Sequence, residues 1–231
     1  MDSKLMDYLI RHKGGYMFKD ERELTNHIIR EIILTVGVKR AIKGDVISKK
    51  PFKDFLQTYF NMYAPELLAK PDIVMVFEDV TRGTDDWFLV SVELKYFKAN
   101  DRLNKRLRKA FREIGQPLRY HLYGFDATIL WHIFEENIDI EIIQSYSNLI
   151  SEIIERLRLP IVYFSTRITK KEKDNLYFLV IKPTKVDSPK DINYIVTWML
   201  NLTRNTRNPL LPQDKEVEKR RRVLKTVLGI P

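Results

Sequence analysis

The chain of 231 residues contains no cysteine. That absence removes disulfides, thiolate zinc sites, cysteine nucleophiles and cysteine-ligated iron–sulfur clusters in one step. Its four histidines, His12, His27, His121 and His132, show no HExxH-like spacing and read as packing or surface residues. Any metal must then be held largely by oxygen. No apolar run approaches the roughly 18 residues of a membrane span. The first 30 residues lack the basic start, apolar middle and small-residue cleavage site of a signal peptide. Internal repeats, low-complexity tracts and Gly-rich phosphate loops are missing too, so an ATP-driven motor would have to be a separate chain. The expectation is an intracellular protein with no membrane partner, cytoplasmic, or in the host cytoplasm if the gene is viral.

What is present is a hydrophobic fraction of 44% beside 31% charged residues, the profile of one globular domain, with or without an appendage. A formal charge of +9 favours a polyanionic partner, either nucleic acid or an anionic membrane face.

The stretch 17–36, MFKDERELTNHIIREIILTV, reads as a helix. Asp20 can cap it, Glu23 stands where a capping box needs it, and Leu24, Ile28, Ile32 and Val36 form one stripe. Residues 38–70 are ambiguous, with a helical piece near 52–63. Residues 72–79 and 87–95 read as an antiparallel hairpin around a loop at 81–85. A helix near 101–114, a strand at 127–134, a helix at 143–157 and strands at 161–166 and 176–182 follow. Helical segments near 190–202 and 214–228 close the chain. This order predicts an α/β or α+β domain over 1–185, with a mixed sheet of four or five strands flanked by helices, and a helical C-terminal extension over 186–231.

The hairpin carries misplaced charge. In FLVSVELK, residues 88–95, alternation puts Leu89, Ser91, Glu93 and Lys95 on one face. A solvated strand face is the bland account. Against it, the partner Ile73-Val74-Met75-Val76-Phe77 is continuously apolar, as in strands covered on both faces. A symmetric loop would set Asp72 opposite Glu93, with Cβ atoms about 4.5–5.5 Å apart. Two carboxylates that close can share one Mg²⁺ or Mn²⁺, and a lysine beside them can orient water or stabilise charge on phosphate.

Pro71-Asp72 followed by Glu93-Leu94-Lys95 resembles the signature of the PD-(D/E)XK nuclease superfamily, the restriction-endonuclease-like fold. The resemblance implies a metal-dependent deoxyribonuclease. Asp72, Glu93 and the Leu94 carbonyl would hold the metal, Lys95 would position or activate water, and a glutamate of the first helix would complete the shell. Helical spacing puts Glu21 on the apolar side of that helix and Glu31 at its edge, so Glu21 is preferred, with Glu31 as the alternative. Gln116 and Tyr120 look like the QxxxY motif of the RecB-like branch, whose Gln and Tyr line the active site, and are expected to orient DNA. Pro117 directly after Gln116 means that the helix either restarts or kinks there.

Between these motifs, Leu103, Leu107, Ala110, Phe111 and Ile114 fall on one side of a helix and basic residues on the other. Arg102, Arg106 and Lys109 are the expected phosphate contacts, although a solvated basic face remains the plain alternative. In size and style the chain resembles small nucleases of archaea and their viruses, or Holliday-junction resolvases, which work in DNA repair or recombination. A resolvase needs two active sites, hence a homodimer. The rival expectation is a non-catalytic DNA-binding or scaffold protein on the same fold. The run KRRRVLK, 219–225, reads as a solvated terminal helix face or a nucleic-acid contact.

Overall fold

The computed structural model describes residues 17–33, 38–47, 70–79, 86–99, 103–172 and 175–230, with positions 54 and 57 between. In chain order the elements are α1 (Glu21–Ile32), β1 (Val38–Lys43), a 3-10 turn (Gly44–Val46), β2 (Ile73–Asp79), β3 (Asp86–Phe97), α2 (Leu103–Arg112), α3 (Gly115–Leu122), β4 (Ala127–Phe134), α4 (Ile140–Arg156), β5 (Val162–Glu172), β6 (Asn175–Lys182), β7 (Lys190–Asp191), α5 (Ile192–Asn205) and α6 (Lys215–Leu228). The helical piece expected at 52–63 falls largely, and the loop at 81–85 wholly, outside the described residues. Among the described residues no helix is long and apolar enough to cross a membrane.

Among the described residues all the strands join one mixed sheet in which spatial order follows sequence order. The centre is parallel, β3 to β4 to β5, and the flanking pairs are antiparallel. The sheet has seven strands, not the expected four or five. β1 escaped the sequence reading because a register shift between Val38 and Arg40 breaks its alternation and because Lys39, Arg40 and Lys43 dilute its apolar residues. β7 is only two residues long.

Both faces of the sheet are covered. Leu24, Ile28 and Ile32 of α1 and Ile195, Val196 and Met199 of α5 pack on the face that shows Ile73, Met75, Val90 and Val92. Helix α5, the first of the last two helices, therefore shares the main core. The other face shows Val74, Val76 and Leu89 to α3 and α6, with α2 and α4 covering Phe97, Leu130 and Phe134. β4 is buried at every position.

The cap of α1 forms as its sequence suggests. Asp20 accepts from the Glu23 amide at 2.9 Å, and the Glu23 carboxylate reaches back to the Lys19 amide at 2.6 Å. α2 ends at Arg112 and α3 starts at Gly115, so the helix restarts rather than kinks. Pro117 stands in the first turn of α3, where its missing N–H is not needed.

Candidate active site

The site forms where β3 outruns β2. The last paired residues are Ile73 and Val92, and β3 continues to Phe97 with no strand beside it on that edge among the described residues. On β3 the amides of Leu94 and Tyr96 face this open edge, because the alternate residue Val92 still bonds in that direction, taking the Asp72 amide at 2.9 Å. Two carboxylates bond these amides. Asp72 Oδ2 accepts from the Leu94 amide at 2.8 Å, and Glu21 accepts from the Tyr96 amide at 3.1 Å. The Leu94 carbonyl lies on the same edge as its amide.

Extending the observed register by one residue sets Asp72 opposite Glu93, on the sheet face covered by α3. Glu93 is only 2% exposed. Its Oε1 accepts from Lys95 Nζ at 2.7 Å and its Oε2 from the Tyr120 hydroxyl at 2.5 Å. Lys95 also has the Glu113 carboxylate at 3.9 Å. Burial, then the neighbouring Glu93 and Glu21 carboxylates, push Asp72 up to about 7. Burial likewise raises Glu93, and the Lys95 and Tyr120 contacts only partly offset it. Burial would draw the Lys95 ammonium down, but Glu93, Glu21 and Asp72 together outweigh it and hold Lys95 above its ordinary value. Behind Lys95, in register on β4, the fully buried His132 is lowered to about 3 by burial and by the lysine charge, so it stays neutral, with Nδ1 3.1 Å from the Tyr163 hydroxyl.

Glu21 and Glu31 part company. Glu31 pairs with His27 at 2.6 Å and faces the Leu176 amide on β6, so it serves the far side of α1. Gln116 and Tyr120 share one face of α3 and touch at 3.3 Å. Tyr120 is fully buried, its hydroxyl held between Glu93 and the Lys70 carbonyl. It therefore ties the two acidic segments together from behind, and it has no exposed surface. Tyr120→Phe keeps the ring and removes the hydroxyl. It should destabilise the fold by about 1.5–3 kcal/mol, the usual worth of a hydrogen bond to a charged group, measured by urea unfolding. Unchanged stability would mean that the hydroxyl does not hold these segments.

Arg106 is half-buried beside the site, Lys109 is mostly exposed and 3.6 Å from Glu113, and Arg102 lies outside the described residues. Two clefts open here, and Glu21 lines both. One, about 420 Å³, contains Asp72 with Arg22, Lys43 and Lys70. The other, about 300 Å³, contains Lys95 with Lys98, Arg106 and Lys109.

Gly44 is a part of the site that the sequence reading missed. Its amide bonds the Asp72 carbonyl at 3.2 Å, and a Cβ there would lie 1.7 Å from the Pro71 carbonyl oxygen. Only a bare backbone can approach so closely. Gly44→Ala should displace the Pro71-Asp72 segment and, since a shift of about 1 Å can cost 100-fold, lower any activity by about that factor. The comparison is of turnover with wild type at matched, verified folding. The sequence signal was faint, a glycine after a basic strand. Glu113 was also missed, as the lone acid ending a basic helix.

Among the described residues no three His, Cys, Asp or Glu side chains form a ready-made metal cluster. The oxygens offered are the Asp72 and Glu93 carboxylates and the Leu94 carbonyl, with Glu21 at the edge. In comparisons with known proteins, the chain matches no family model, no curated protein and no solved structure.

Proposed function

We propose that the protein is a metal-dependent nuclease of the PD-(D/E)XK type that hydrolyses phosphodiester bonds in DNA. The observation that carries this reading is the convergence of Asp72, Glu93 and Lys95 where β3 runs on past β2, next to clefts lined with lysine and arginine. Carboxylates pushed upward by burial and by each other are costly in a structural role. A hard divalent cation relieves that cost, and magnesium needs only one or two protein carboxylates because water and phosphate fill its other positions. The donor set therefore fits Mg²⁺ or Mn²⁺, with Asp72, Glu93 and the Leu94 carbonyl as ligands and Glu21 as the further carboxylate. When bound, such an ion supplies Lewis-acid neutralisation of charge on the phosphate.

The chain's own groups do the rest. Lys95 keeps its charge through neutral pH, and the N–H bonds that Glu93 does not take can donate to an attacking water or to a phosphate oxygen. Tyr120 and the Leu94 amide fix the two carboxylates, so neither must reorganise when substrate arrives.

The test is purified protein with labelled DNA in Mg²⁺ and in Mn²⁺, beside Lys95→Ala. Wild type should cut, and Lys95→Ala should lose about 100- to 1000-fold in rate while keeping DNA affinity. Tight binding without cleavage by wild type on linear, flapped and four-way substrates would make the protein a DNA-binding scaffold instead.

A further inference from the structure

The acids and the lysine lie at a seam between two clefts, not at the end of one. Asp72 lines the first cleft and Lys95 the second, and Glu21 is the wall they share. Both clefts open to solvent, and at about 420 and 300 Å³ each is of ligand size. Each has its own cations, supplied by separate parts of the chain. Arg22 on α1 and Lys43 at the end of β1 serve the first, where Lys70 is paired with Asp45, and Arg106 and Lys109 on α2 serve the second, where Lys109 stands 3.6 Å from Glu113 and the buried Lys98 donates to the Lys19 carbonyl.

A site specialised for chain ends needs grip on one side of the scissile bond only. Phosphate-binding cations on both sides stabilise a strand that continues in both directions, since each neutralised phosphate adds to affinity. The aromatic rings in the second cleft, Tyr96 and Phe97, are buried. Among the described residues of this cleft no ring is offered to bases as a stacking platform, so the grip there is on the backbone.

We propose that the protein cuts DNA internally, on a strand that runs through both clefts and past the scissile phosphate on each side. This rests on the nuclease reading above. In the step itself, water adds its oxygen to phosphorus and the phosphorus–oxygen bond to one sugar breaks. One water proton passes to the leaving sugar oxygen, the other reaches solvent as the new phosphate monoester ionises, and no further reactant is consumed.

Covalently closed circular DNA, single-stranded and duplex, tests the proposal, because it has no end to enter from. With Mg²⁺ or Mn²⁺, at least one closed circle should be opened at many positions, as read on a denaturing gel. Charge reversal in either cleft, Lys43→Glu or Lys109→Glu, should raise the half-saturating DNA concentration about tenfold and flatten its salt dependence by about one phosphate contact. If linear DNA is degraded while both closed circles stay intact, the protein is an end-directed nuclease and internal cutting is overturned. A strand held through both clefts is equally overturned if only one of the two reversals weakens binding. If neither linear nor circular DNA is cut in either metal, the nuclease reading itself falls and takes this proposal with it.

Discussion

In EDTA at pH 8, Asp72→Asn should melt at a higher temperature than the wild type, and in Mg²⁺ it should lose the DNA cleavage proposed for the wild type. Both halves come from one cause. In the folded protein burial, Glu93 and Glu21 push the Asp72 carboxyl up to about 7, whereas in the unfolded chain it has the ordinary value of 3.8. Below about pH 4 both states hold the proton and the group has no effect on folding. As pH rises from there to 7, the unfolded chain releases its proton and the folded chain keeps it, so stability falls. Above 7 the loss is complete and constant, on the order of a few kcal/mol. The amide of Asn never ionises and can still accept from the Leu94 amide through its oxygen. The difference in melting temperature between mutant and wild type should therefore be small at pH 4, grow to pH 7 and level off.

Divalent metal should narrow this difference. An ion that binds only the folded state stabilises it by about 2.7 kcal/mol at one hundred times its Kd. Wild type should gain this in Mg²⁺ and Asp72→Asn should not. Its binding to wild type should release a proton below pH 7 and strengthen as pH approaches 7. If Asp72→Asn melts lower than wild type at pH 8 without metal, Asp72 is an ordinary structural acid and the electrostatic account of the site is wrong.

The sequence placed the hairpin almost to the residue, because a continuous apolar run beside an alternating one has few other uses, and the Asp72–Glu93 juxtaposition follows from its register. It also favoured Glu21 over Glu31, since helical spacing separates them by angle. It could not show that β3 outlasts β2, because strand length is decided by a partner's end and not by a strand's own composition. For the same reason β5, continuing through 167–172, all polar but Ile168, outruns the apolar run at 161–166. It placed Tyr120 on the right helix face relative to Gln116. Whether that face meets DNA or protein depends on packing against β3, which no spacing records.

The basic run at 219–225 is where composition misled most, and it yields the second large effect. Arg221→Ala should cost about 3–5 kcal/mol, as breaking one partner of a buried ion pair does, or roughly 6–20 °C in melting temperature for a chain of this size. Arg221 is 12% exposed and faces Asp126, itself 4% exposed, at 3.0 Å. Its Nε shares the same carboxylate at 3.2 and 3.3 Å, and its terminal nitrogen also reaches the Trp87 carbonyl at 2.6 Å. Asp126 in turn accepts from the Leu89 amide at 2.8 Å, so the pair clamps α6 across β3 and the start of β4. The clamp is tight because Gly124, at φ +88°, lies directly under it, and a Cβ there would come within 2.6 Å of the Arg221 backbone. The neighbouring Arg220 donates to the Leu122 carbonyl at 2.9 Å. Only Lys219 and Arg222 are mainly solvent-facing, paired with Glu216 and Glu218 on their own helix. Alanine at Lys219 or Arg222 should leave the melting temperature unchanged. Replacing the whole pair, Asp126→Leu with Arg221→Met, should recover part of the loss, since no charge is then left buried alone. A stable Arg221→Ala with weakened DNA affinity would instead make this helix a nucleic-acid surface.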